Sequence, residues 1–243
     1  MTRQSKMSVA DGILQRIEPD LEVDLVGVAS LADWKGTKLE ETARVLLPAA
    51  KSVVVFSMEI MREVLDLSSP TRIQGAASTT DLLNTDGAHL YGKLTWAAYD
   101  FARAMRNAGY STLPLPATDC PTDDRFMMAI FSYKHAAQAA GLGRLGWHSL
   151  LITPEYGPRM RLGVCLTEAE LESGGESKVV FNCERCRKCI DICPAGAIKE
   201  PSPGEPYRID KFACNGYRTA AGGCSECMRV CPPGMKTRKK RNA

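Results

Sequence analysis

The stretch FNCERCRKCIDICPAG packs Cys183, Cys186, Cys189 and Cys193 into eleven residues, with Pro194 directly behind them. The gaps between these cysteines are two, two and three residues. That is the bacterial run for cubane iron–sulfur clusters, in which the fourth cysteine ligates the other cluster. Three thiolates on a tight loop hold three corners of a cube. The fourth, one helical turn on, points toward a neighbour, and the proline bends the chain away. A second, looser group holds Cys214, Cys224, Cys227 and Cys231, and it too ends in a proline, Pro232. The insert NGYRTAAGG sets Cys214 apart, and its glycines let it fold back. The pattern predicts two 4Fe–4S clusters with crossed ligation. Cys183, Cys186, Cys189 and Cys231 hold the first; Cys193, Cys214, Cys224 and Cys227 hold the second. Zinc is the alternative, but its structural sites pair C-x-x-C knuckles about 15–20 residues apart.

Cys120 and Cys165 stand alone and read as buried, inert thiols. The N-terminus MTRQSKMSVADG has no apolar signal core and no twin arginine, and no apolar run approaches a membrane span. A cytoplasmic chain with reduced thiols is therefore expected, which disfavours a disulfide framework. The net charge of +3 comes from one end. Without Lys236, Arg238, Lys239, Lys240 and Arg241, 26 basic residues face 28 acidic ones. The basic tail 236–243 reads either as a solvated terminus or as bait for an acidic partner or nucleic acid.

Ahead of the cysteines the pattern alternates. Residues 9–18 read as an amphipathic helix, 22–30 as a strand, and 39–47 as a helix stopped by Pro48. The unbroken apolar run SVVVFSM (52–58) reads as a strand buried on both faces. Residues 67–87 are rich in Ser, Thr and Gly and read as a long loop with at most one turn of helix; 88–109 read as a helix; 110–116 as a strand. Thr122, with Asp123 and Asp124 in a first turn, predicts a helix running to about Ala140. SLLI and MRLGVCL read as strands. The fold class is α/β (α+β): a domain over 1–171, a linker over 172–178 (ESGGESK), a small two-cluster ferredoxin-like domain over 179–235, and the tail.

The segment AGLGRLGWHSLLITPEYGPRMRLGVCLTEAEL followed by this cysteine module resembles the epoxyqueuosine reductases and reductive dehalogenases, as do VDLVGVAS and LLPAAKSVVVFSM near the N-terminus. The resemblance covers residues 10–233. It implies a nitroreductase-like domain that binds cobalamin, with the clusters feeding electrons to the cobalt. It also implies, by position, corrinoid contacts from Gly141, Gly143, Gly146, Leu151, Gly157 and Arg161. Bare glycines allow a flat ligand to approach; they equally allow the tight turns of a hairpin.

Two features depart from the epoxyqueuosine reductases. Epoxyqueuosine reductases carry a further helical-repeat domain that helps hold tRNA, where this sequence stops. Their acidic proton donor falls on Met127, with Asp123 and Asp124 close but not aligned. The dehalogenases place a tyrosine donor in this domain, for which Tyr133 is a candidate by proximity, with Lys134 and His135 completing a polar cluster. His89, His135 and His148 could each donate a proton or ligate cobalt, or sit satisfied and half-buried. Trp96 and Trp147 read as core or cofactor wall.

The expected function is a cobalamin-dependent oxidoreductase acting on a small organic substrate, served by an electron donor such as ferredoxin or flavodoxin. An electron-transfer protein that activates a corrinoid partner is the second reading. A tRNA-modifying reductase is the third, although neither nucleic acid nor a membrane is an expected partner.

Overall fold

A computed structural model describes residues 8–68, 79–118, 122–175, 177 and 181–235. Helix α1 (Val9–Ile17) starts where the Ser8 hydroxyl accepts the Asp11 N–H, and it buries Ala10, Ile13 and Leu14. Strand β1 (Leu25–Ser30) follows, then α2 (Lys38–Leu46), capped by Thr37, and β2 (Ser52–Glu59). Next come α3 (Arg62–Leu67), the 29-residue α4 (Thr79–Asn107) and β3 (Thr112–Leu115). A small hairpin, β4 (Thr122–Asp123) and β5 (Met128–Ala129), precedes α5 (Tyr133–Ala139). A second one, β6 (Arg144–Leu145) and β7 (Leu151–Ile152), leads into β8 (Met160–Thr167).

The main sheet has the order β1-β2-β8-β3, and every pair is antiparallel. The fold is thus a mixed α/β one of the α+β kind. Strand β2 is buried along six consecutive residues because both its faces are covered. Alternate side chains go to opposite sides. Val54 and Phe56 pack with Leu94, Phe101 and Met105 of α4 and with Ile13 and Leu14 of α1. Val53 and Val55 pack with Leu39 and Ala43 of α2 and Ala136 and Ala137 of α5. Among the described residues no helix is long and apolar enough to cross a membrane.

Two sequence expectations fail here. The long helix begins at Thr79 rather than 88. Its polar first turns are held because Leu83 and Leu90 pack with Ile60 and Leu65, extending the apolar stripe into a stretch that reads as loop by composition. The helix expected from Thr122 does not form. The Asp123 carboxylate takes Nε and Nη2 of Arg125 at 3.0 and 2.8 Å and the Arg125 N–H at 3.1 Å. This closes a turn, Met127 takes a left-handed φ of 46°, and the chain returns as β5.

The cysteine-rich module contains α6 (Lys188–Ile192), β9 (Ile198–Lys199), β10 (Arg208–Ile209), α7 (Lys211–Ala220), α8 (Glu226–Arg229) and a 3₁₀ turn over Pro232–Met235. It packs intimately on the first domain. Met228 joins the cluster of Ile60, Leu65 and Leu83, and Trp147 packs with Cys189 and Ile198. The described part of the expected linker lies along the sheet. Glu172 N–H donates to Asp11 Oδ1 and Gly174 N–H to the Val28 carbonyl. Glu176, Lys178 and the basic tail 236–243 lie outside the described residues, as do Cys120 and residues 69–78 of the expected loop.

Candidate redox site

The eight module cysteines gather into two quartets. In the first, Cys183 opens a turn in which the Cys186 N–H bonds its carbonyl at 3.0 Å, and Arg187 is left-handed, with φ 51°. Cys189 then sits on α6. Burial, followed by Cys183 and Cys186, pushes the Cys189 thiol up to about 11. Cys231 arrives from the far end of the module. Burial, then Cys183, Cys186 and Cys189, push it up to about 12. One cavity is lined by these four cysteines together with His148, Phe181, Arg187, Lys188 and Pro232.

In the second quartet, Cys193 ends α6, Cys214 lies on α7, and Cys224 and Cys227 flank the start of α8. Burial raises Cys214, and Cys193 and Cys224 add to it. Burial raises Cys227 strongly, with Cys224, Cys214, Cys189 and Cys193 acting in that order. Thiols crowded this way cannot all ionise alone; a cation among them makes the thiolates stable. Among the described residues no three His, Cys, Asp or Glu side chains close on a single-ion position. A four-iron cube takes one thiolate per corner and needs them spread wider than a zinc ion does.

A cleft of about 570 Å³ opens between the cysteine-rich module and the segment around α5. Met127, Lys134 and Ser149 line it from the first domain, and Tyr207, Arg208, Lys211, Cys214 and Arg218 from the module. Lys134 Nζ stands 4.1 Å from the Tyr207 ring centroid. Burial, and then Lys211, lower Lys134 to about 8. Burial keeps the Tyr207 phenol above its ordinary value. Lys211 Nζ also donates to the Phe126 carbonyl at 2.8 Å, tying the β4–β5 hairpin to the cleft rim.

The residues singled out from sequence separate into different places. Of the polar trio, Lys134 lines the cleft and the His135 ring lies 6.1 Å from that of Tyr207, while His135 Nδ1 meets Ser132 Oγ at 2.6 Å. Tyr133 turns away and donates to the Pro116 carbonyl at 2.7 Å. His89 is exposed on α4, with Nδ1 2.9 Å from the Thr85 carbonyl. Trp147 is buried, but Trp96 is 69% exposed beside Tyr99 and is neither core nor wall. Cys165 is buried, raised by that burial, and donates to the Ala98 carbonyl.

The glycines face protein. A Cβ on Gly141 would lie 2.4 Å from the Gly175 carbonyl oxygen, one on Gly143 2.3 Å from that of Ile152, and one on Gly157 2.3 Å from Gly234 N. One on Gly146 would lie 2.7 Å from Ile152 Cδ1. Tight hairpin and interdomain packing account for all four. Leu151 is core, and Arg161 stacks on Tyr91 near Asp86, on the α4 side.

Sequence reasoning missed Tyr207 and Arg159. Arg159 is 4% exposed and donates to Glu59 Oε1 at 2.5 Å, the Ile60 carbonyl at 2.7 Å and the Gly234 carbonyl at 2.9 Å. It grips the turn that follows Cys231. Its place in YGPRM, one residue before the β8 strand, was the available signal.

No protein-family model matches the chain. It is 31% identical over 200 residues to the tetrachloroethene reductive dehalogenase of Desulfitobacterium hafniense, across 74% of this chain and 32% of that protein. It is 26% identical over 204 residues to the epoxyqueuosine reductase of Bacillus subtilis, across 79% of this chain and 49% of that one. The chain belongs to the superfamily of reductive dehalogenases and epoxyqueuosine reductases. It spans about a third of the dehalogenase and about half of the epoxyqueuosine reductase.

Solved structures of the superfamily share the fold. A catabolic reductive dehalogenase in complex with 3-bromo-4-hydroxybenzoic acid aligns with a TM-score of 0.69 and 21% identity, over 92% of this chain and 31% of the other. The epoxyqueuosine reductase from Streptococcus thermophilus aligns with a TM-score of 0.57 and 16% identity, over 96% of this chain and 68% of the other.

Proposed function

We propose that this superfamily member is an iron–sulfur, cobalamin-dependent reductase of a small organic anion. The observation that carries the reading is the position of Cys214. It belongs to the second thiol quartet and also lines the interdomain cleft. Electrons held at that quartet are therefore one wall away from a ligand in the cleft. The two quartets support crossed ligation, with Cys231 joining Cys183, Cys186 and Cys189. Bound in the cleft, a corrinoid would supply a cobalt centre that becomes a strong reductant or nucleophile once reduced. We place it against the cleft; at the glycines, the side that a Cβ would take is filled by protein.

The chain's own part is to bind, orient and protonate. Lys134, Arg208, Lys211 and Arg218 line the cleft, and among the described residues no carboxylate does. Of these, Arg218 acts on the thiols of Cys214 and Cys224 and so serves a cluster in part. The other three leave positive charge for an anionic group on the substrate. A reductase also needs a proton. Met127 on the cleft rim has none to give. Tyr207, a protonated phenol beside the Lys134 ammonium, is placed to donate one.

Anaerobic titration of the cluster-loaded protein with cobalamin, followed by absorbance, tests the reading. Binding at tens of micromolar or tighter is expected; no spectral change would overturn it. Arg208→Glu should then weaken binding of an anionic substrate at least tenfold and leave a neutral analogue unaffected.

One observation favours a second reading, an electron-transfer protein or activator of a corrinoid partner. Phe126, Met128 and Phe212 are exposed near the cationic cleft, as an apolar docking rim would be. Reduction of a corrinoid protein without turnover of any small molecule would favour it. A tRNA substrate, the third reading, rests on the tail outside the described residues and on the epoxyqueuosine reductase relatives.

A further inference from the structure

His148 presents a buried donor that nothing among the described residues answers. The backbone N–H of Leu150 donates to its Nδ1 at 3.1 Å, so Nδ1 is the acceptor and the ring proton sits on Nε2. Among the described residues that Nε2 is buried without a partner, on a side chain 3% exposed. Buried donors are nearly always paired, and an exception calls for a reason. The imidazole lines the cavity formed with Cys183, Cys186, Cys189 and Cys231. The local chain is built around the ring. A Cβ on Gly146 would come within 2.8 Å of Cε1 and 3.2 Å of Nε2, so only glycine leaves the imidazole its place. Ser149, with φ 62°, turns the backbone so that Leu150 N–H reaches Nδ1.

We infer that the His148 Nε2–H donates a hydrogen bond to a sulfur of the cluster held by Cys183, Cys186, Cys189 and Cys231, and thereby sets that cluster's reduction potential. The inference rests on the iron–sulfur reading above. Hydrogen bonds to sulfur are one of the means by which proteins tune cluster potentials. Reduction adds negative charge to the cluster. A fixed donor favours the more negative state and raises the potential.

The test is an EPR-monitored redox titration of the full, anaerobically reconstituted chain, with iron and sulfide counted first. His148→Phe removes the donor and keeps a ring of similar size. One of the two midpoints should fall by about 59 mV or more, a tenfold change for a one-electron couple. The other should stay where it was. His148→Gln carries an amide N–H and should recover most of the shift. If His148→Phe fails to assemble, Gly146→Ala keeps the imidazole but displaces it, and should lower the same midpoint. Full iron content with both midpoints unmoved in His148→Phe would overturn the inference. A wild-type protein that takes up no iron would instead overturn the iron–sulfur reading itself.

Discussion

Arg159 concentrates the coupling between domains in one side chain. Its guanidinium serves a carboxylate and two backbone carbonyls with almost no access to water. Arg159→Met would leave Glu59 without its cation and the Gly234 and Ile60 carbonyls short of a donor. Breaking one side of a buried pair costs about 3–5 kcal/mol. Unfolding free energies from urea melts of the two proteins should differ by that much; a loss below about 1 kcal/mol would mean that water replaces the guanidinium. Lys134 makes a pH prediction at the same scale. Its ammonium is disfavoured by burial and by Lys211, so it titrates near 8 instead of 10.5. The unfolded chain then binds more protons between those values, and this group's contribution to stability rises with pH across about 8 to 10.5. Lys134→Met should flatten that slope in urea melts taken from pH 7 to 10. An unchanged slope would assign it to another group.

At the scale of elements, the β4–β5 hairpin forms an exposed rim of the cleft. It is held across the domain boundary by Lys211 at the Phe126 and Met127 carbonyls. Both sides are exposed, so Lys211→Met should shift global stability by no more than about 0.5 kcal/mol. Hydrogen exchange over residues 122–130 should quicken all the same, and unchanged exchange would show that the lysine does not restrain the hairpin. The same elements show what a sequence discloses. Strand β2 was legible because burial on both faces leaves an unbroken apolar run, and the cysteine groups because ligand spacing is a local property. The start of α4 was not, since its helical state depends on Leu83 meeting Ile60 and Leu65 across the fold. Nor was the β4–β5 hairpin, since Asp123 and Asp124 suit a helix start as well as a turn and Arg125 decides between them. The cleft is legible only in three dimensions: Lys134 and Tyr207 are 73 positions apart, and no pattern in either segment announces the other.

Over the whole molecule, the two thiol quartets predict about eight irons and about eight sulfides per chain, two four-iron cubes. Zinc, or half that iron, would contradict the two-cluster assignment. Cys231→Ala should damage the first cluster and Cys193→Ala the second, although Cys193 lies in the first sequence group and Cys231 in the last. Between those cysteines and the sheet stands the contact of Gly157 with Gly234, bound on one side by Arg159. Gly234 is three residues past Cys231, so the thiol that completes the first quartet is set in place by a guanidinium at the entrance to β8. Disturbing the sheet should therefore disturb that quartet. On the proposed iron–sulfur reading, the brown tint of purified protein would report on residues far from any sulfur. Phe101→Ala, a cavity beneath the sheet costing about 3–5 kcal/mol, should already be visible as paler protein before any melting curve is measured.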